Sequence, residues 1–174
     1  MSIFDIFKKK KNPKSVSTEE IYLQEILDDF SKHDYLGKAA DADHKAKAAV
    51  KAKEFDKAWG LYHEQKLFYM QHANRSGFTK RQVLALDSQV HEDLANILRI
   101  ENKNDDALVH ILYWVIANND MPIKRHQQKL TAYFNRCKFG NTSTEEAINF
   151  ATSNISNPDF VVAQSKVAEW RSRG

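Results

Sequence analysis

The sequence predicts an all-α protein of about eight helices, arranged as antiparallel helical hairpins stacked side by side. Three observations carry that expectation. Apolar residues recur at three- and four-residue intervals along most of the chain, and no window holds the alternation of a strand. Glycine and proline are scarce, 5 and 3 among 174 residues, and nearly all of them fall at breaks between periodic segments. Finally, Ser17-x-x-Glu20, Ser143-x-x-Glu146 and the weaker Thr79-x-x-Gln82 have the form of capping boxes, which satisfy the first free N–H groups of a helix.

The segments follow in order. Residues 18–33 carry Tyr22, Leu23, Ile26, Leu27 and Phe30 on one stripe, and Gly37 marks a stop. An alanine-rich helix over 38–53 pairs with one over 55–74, whose stripe is Phe55, Trp59, Tyr62 and Tyr69. Gly60 alone lies inside a helical pattern, where it would allow a close helix contact. After Gly77, residues 79–101 place Val83, Leu86, Val90, Leu94 and Ile97 on one face. The segment 105–118 is apolar almost all round, with Leu108, Ile111, Leu112, Val115 and Ile116, and is therefore the expected central helix. Pro122 opens 122–138, which presents Ile123, Leu130, Phe134 and Cys137 and ends before Gly140. Helices over 144–154 and 158–171, the latter opened by Pro158, complete the chain.

Residues 1–14 stand apart from the domain expected over 15–174. Ile3, Phe4, Ile6 and Phe7 precede four lysines, Lys8, Lys9, Lys10 and Lys11, and Asn12-Pro13 then breaks any helix. Phe4 and Phe7 could enter a membrane surface while the lysines meet anionic headgroups; the plainer alternative is a solubilised tail that folds back on the domain.

Charge and motif content narrow the function classes. The formal net charge is only +3, with acids and bases interspersed, which argues against nucleic acid as a partner. Lys80-Arg81, Lys124-Arg125 and Arg171 to Arg173 would have to share one face to reverse that expectation. A single cysteine, Cys137, forms no internal disulfide and fits a reducing compartment. The longest apolar stretch, 107–117, is short for a bilayer and is interrupted by His110. With no secretory signal pattern at the N-terminus, a cytoplasmic location is expected, with contact at the inner membrane surface through the N-terminal segment. No phosphate-cradling glycine loop and no Gly-x-Ser-x-Gly elbow is present, and Cys137 lies on an apolar stripe, where it reads as a small buried hydrophobe.

The histidines are the remaining candidates for chemistry. His91 follows Asp87 by four residues, His110 follows Asp106 by four, and His44 follows Asp41 by three, spacings that place imidazole and carboxylate on one helix face. Such pairs can orient a base or a metal ligand. No His-x-x-x-His pair and no cysteine cluster accompanies them, so neither metal nor cofactor is expected.

Two stretches repeat one small-residue spacing. Lys45-Ala46-x-x-Ala49, Phe55-Asp56-Lys57-Ala58 and Tyr62 align with Leu94-Ala95-x-x-Leu98, Asn104-Asp105-Asp106-Ala107 and Ile111. The pattern resembles the tetratricopeptide repeat family over about half the chain. It departs from the family at Lys45, Ala49, Gln65 and Trp114, and its two copies lie farther apart than one standard repeat. The resemblance implies a short α-solenoid that binds a protein or peptide along the groove lined by first helices. Carried onto this chain, those positions are Asp43, Lys47, Val50 and Lys51 in one copy and Glu92, Asn96 and Arg99 in the other. The family's clamp for C-terminal carboxylates needs a Lys and Asn pair where Asp43 and Lys47 stand, so the clamp is absent. Tyr62 or Tyr69 would supply an aromatic anchor, with Trp59 and Trp114 left to the core. The expected function is a non-catalytic interaction module: a scaffold, an adaptor or a toxin-neutralising protein of the immunity type. An enzyme with a dispersed Asp/Glu/His site between helices is the competing class.

Overall fold

A computed structural model describes residues 18–153 and 158–174 and divides the chain into two compact units, 1–34 and 35–174. Phe4, Phe7, Lys8 to Lys11 and the first cap residue, Ser17, lie outside the described residues. Among the described residues there are eight helices and no strand. The first unit contributes α1 (Thr18–His33), whose bounds are those the apolar stripe predicts. Tyr22, Leu23 and Leu27 of that stripe are exposed, and an ion pair of 3.2 Å joins Asp29 to His33 one turn later.

The second unit holds α2 (Tyr35–Lys51), α3 (Phe55–Arg75), α4 (Lys80–Ile100), α5 (Asn104–Ala117), α6 (Lys124–Cys137), α7 (Thr144–Ser153) and α8 (Phe160–Ser172). Successive helices pair as hairpins, α2 with α3, α4 with α5 and α6 with α7, and the hairpins stack through α3 on α4 and α5 on α6. The last helix returns to pack on α5. The close approach of α2 to α3 has a simple cause. Ala39, Ala42, Ala46 and Ala49 recur along one side of α2, all buried, with no side chain long enough to hold the backbones apart. Ala58, Ala95 and Ala107 are fully buried as well. In α5 every residue from Ala107 to Ile116 is buried, because α4, α6, α7 and α8 surround it.

Helix ends follow the capping signals in part. Thr79 and Gln82 form a reciprocal box, with Gln82 N donating to Thr79 Oγ1 at 3.3 Å and Thr79 N donating to Gln82 Oε1 at 2.9 Å. At α7 only half a box forms. Glu146 N donates to Ser143 Oγ (3.1 Å), while the Glu146 carboxylate instead accepts from Trp170 Nε1 (3.1 Å) and Arg173 (2.7 Å).

Four expectations about glycine and proline are corrected. Gly37 lies within α2 rather than at a stop. The left-handed residue after α6 is Lys138 (φ 52°) rather than Gly140, and Lys53 and Asn102 turn the chain in the same way. Only Gly77 (φ 65°) acts as the expected glycine cap. Gly60 faces open space, since a Cβ there would meet nothing within 4 Å. The prolines stand one residue before the caps rather than inside the helices: Ile123 is the N-cap of α6, and Asp159 is that of α8, accepting from Val161 N at 2.8 Å.

Candidate functional site

The first helices of the hairpins carry a row of charged side chains along one face. In α2, Lys47 Nζ lies 2.6 Å from Asp43 Oδ2, and that bond raises the lysine's pKa. The charge of Asp93 in α4 acts on Lys47 in the same direction, as does Tyr69 of α3. Tyr69 also accepts a hydrogen bond from Gln65 Nε2 (3.1 Å), whose Oε1 is buried without a partner. From Asp93 the row continues into α6. Its neighbour Glu92 pairs with Arg125 and, at 3.3 Å, with Lys129.

Asp93 is the unusual member of this row. Half-buried, it has neither hydrogen bond nor ion pair among the described residues. Burial pushes its carboxyl pKa above the ordinary aspartate value and nearby Asp43 and Glu92 add to the rise, while Lys47 and Arg125 oppose it. A carboxylate in this setting is under-compensated and gains from an added cation.

The residues predicted for partner contact are thus divided by the structure. It gathers Asp43, Lys47 and Tyr69 beside Asp93. Tyr62 belongs to the same neighbourhood, since burial and then the charges of Asp93 and Asp43 raise its hydroxyl pKa, but only 2 % of the residue is exposed and it serves as core. Glu92 is committed to Arg125 and Lys129, so it also joins α4 to α6. Arg99 Nη2 donates to Asn96 Oδ1 at 2.6 Å, and these two form a separate polar pair. Sequence reasoning missed Asp93 and Lys129 and singled out Arg125 only as part of a basic pair. Adjacency to Glu92 was the available signal for the first, but nothing in local spacing announces a bridge between residues 33 apart.

Beneath this face the helices enclose a polar cluster. His91 and His110 are 4 % and 8 % exposed, with ring centroids 4.8 Å apart, and neither Nδ1 has a partner. Phe160 of α8 packs on both rings at 5.3 and 5.0 Å. Lys66 Nζ lies 3.3 Å from His91 Nε2 and 3.0 Å from Asp87 Oδ1, and Tyr113 donates to Asp87 Oδ2 at 2.8 Å. Desolvation, reinforced by the neighbouring His110, Lys66 and His63, lowers the His91 pKa to about 2; desolvation with His63 and Lys66 lowers that of His110 to about 4. Both rings are therefore neutral at neutral pH.

Of the three carboxylate–histidine spacings, only Asp87 and His91 come near each other, at 3.9 Å with Lys66 between them. His44 is exposed and Asp41 pairs instead with Lys45 at 2.6 Å, while Asp106 is exposed and His110 meets His91, Phe160 and Trp59. Trp114 is buried as expected, whereas Trp59 is half-buried. Cys137 is buried, and its thiol is pushed up to about 12, chiefly by that burial and then by Asp105. Among the described residues no group of three or more His, Cys, Asp or Glu side chains could hold a metal ion, and no helix is long and apolar enough to cross a membrane.

No protein-family model matches the chain, and no match is found among curated proteins or solved structures.

Proposed function

We propose that this chain is a non-catalytic interaction module, a short tetratricopeptide-like scaffold of a reducing, cytoplasmic compartment. It binds a protein or peptide along the first-helix face of α2, α4 and α6. The observation that carries the reading is Asp93, a half-buried carboxylate without a direct ion pair in a row of otherwise paired charges, its pKa raised despite Lys47 and Arg125 nearby. A basic side chain of a partner would complete that row, with Asp43 as a second acceptor and Tyr69 as the aromatic wall beside it. Its charged rim would select the partner, while desolvation around Asp93 and Tyr69 would supply most of the affinity. Covering the basic surface of a toxin, as an immunity protein does, is a finer form of the same reading.

The histidine cluster supports this non-catalytic reading. Phe160 packs on both rings and leaves little of either exposed, which disfavours their direct contact with a substrate.

The test compares wild-type protein with Asp93→Asn and Lys47→Glu variants. Partners captured from the native cell are identified by mass spectrometry, and the affinity of the leading candidate is then measured. A functional Asp93 predicts that Asp93→Asn keeps or raises the melting temperature while weakening the complex. Unchanged affinity in both variants would rule out this face.

A further inference from the structure

The N-terminus of α6 and the C-termini of α5 and α7 line a pocket of about 420 Å³, whose His126 lies within the field of Glu92 and Arg125 at the α6 end of the charged face. That volume lies within the range of small-molecule sites, roughly 300–1,000 Å³. Its walls are apolar: Val115 from α5, Leu130 from α6, and Ile148 and Ala151 from α7. Ile123, 54 % exposed, stands at the rim.

The charge around this pocket is one-sided, and of its neutral polar side chains Gln127 offers both a donor and an acceptor. Asn119 Nδ2 is already committed to the carbonyls of Ala151 and Thr152, and the Thr152 hydroxyl to that of Ile148. His126 is fixed by its own helix start, where its Nδ1 accepts the N–H of Ile123 at 3.4 Å. The ring proton therefore sits on Nε2, an N–H donor with no acceptor among the described residues. Trp114 holds the ring edge-on at 4.5 Å, which fixes the direction of that donor. Burial, helped by Arg125 and opposed by Glu92, lowers the His126 pKa, which favours the neutral ring. Lys124, exposed at the mouth, has no carboxylate partner among the described residues, and no Asp or Glu lines the pocket.

An apolar chamber with an N–H donor and an uncompensated ammonium at its mouth is complementary to an apolar body that ends in a carboxylate. We propose that this pocket binds a small amphipathic carboxylate, a medium-chain alkyl acid, with its tail against Leu130, Ile148 and Ala151 and its carboxylate at Lys124 and His126 Nε2. The site uses none of Asp93, Asp43 or Tyr69, so either proposal can fail without the other.

The experiment titrates the full chain with octanoate, octanol and octylammonium while following methyl resonances by NMR. Octanoate is expected to give saturable one-to-one shifts at Leu130, Ile148 and Ala151, with octanol weaker and octylammonium weakest. Lys124→Glu should weaken octanoate binding roughly three- to tenfold and leave octanol unchanged. Thr152→Phe fills the rim from an exposed position, so folding is not at risk, and should abolish both. Shifts that do not saturate, shifts centred elsewhere, octylammonium binding as tightly as octanoate, or full binding by a folded Thr152→Phe protein would each overturn the assignment.

Discussion

Burying two neutral imidazoles side by side makes the fold sensitive to acid, and the size of the effect follows from the geometry. An unfolded histidine takes up its proton near pH 6.5. In the folded protein His91 resists protonation down to about pH 2 and His110 to about pH 4, because burial strips water from either cation and Lys66 and His63 repel it, with His110 adding to the effect on His91. Both folded-state pKa values lie below the unfolded one, so below pH 6.5 the unfolded chain binds more protons and stability falls as pH falls. The loss begins near pH 6.5 and levels off for His110 near pH 4. At pH 5 each site has lost about 2 kcal/mol, together about 4 kcal/mol, out of the 5–15 kcal/mol typical of a domain. Urea denaturation at pH 7 and pH 5 measures this directly. Carboxylates also titrate in that window, so the decisive comparison is with the His91→Gln, His110→Gln double variant, which keeps the carboxylates and removes the imidazoles. The wild type should lose about 4 kcal/mol more than the double variant between the two pH values. Equal losses would show that the two rings are solvated or paired in solution and would refute the argument.

Three further outcomes follow from packing. Ala107→Leu and Ala58→Leu insert bulk where the residues are fully buried between helices, and each should cost on the order of 1–3 kcal/mol in thermal or chemical melts. Gly60→Ala should do the opposite: its Cβ meets nothing within 4 Å, so the helix gains about 0.5–1 kcal/mol from reduced backbone entropy in the unfolded chain. Cys137 should resist iodoacetamide in the native protein at pH 8 and react readily in urea, because burial holds its thiol near 12; rapid native labelling would place it at the surface.

The helices were legible because their signals are local. Apolar stripes and the Thr79 box place α1 and α4 almost to the residue, and the all-round apolar run of 107–116 marks α5 as central. Turns were less legible. Lys53, Asn102 and Lys138 adopt the left-handed conformation that the sequence reserves for glycine, since the packed helices on either side impose the reversal and the turn residue accepts the strain. The return of α8 to α5 was not legible either. Ala163, Val167 and Trp170 announce a buried stripe, but a stripe does not name the helix that covers it.

The same limit explains the candidate site. Spacing put Asp43 and Lys47 on one face, and they pair. It ranked Asp87–His91, Asp106–His110 and Asp41–His44 as equals, although in the fold these aspartates turn to Tyr113 and Lys66, to solvent, and to Lys45. What separates them is a neighbour from another helix: His110 meets His91 across 19 positions, and Glu92 meets Arg125 across 33. Intrahelical rules reach about one turn, so they identify which side chains share a face but not which charges that face leaves uncompensated. Asp93 illustrates the consequence. Its sequence neighbours give it no distinction from Glu92, yet Glu92 pairs directly with two cations of α6, whereas Asp93 feels Lys47 and Arg125 without an ion pair to either. A half-buried charge compensated only in part costs folding free energy. A partner's cation would recover it, and that asymmetry between adjacent carboxylates is the physical argument for binding at this face.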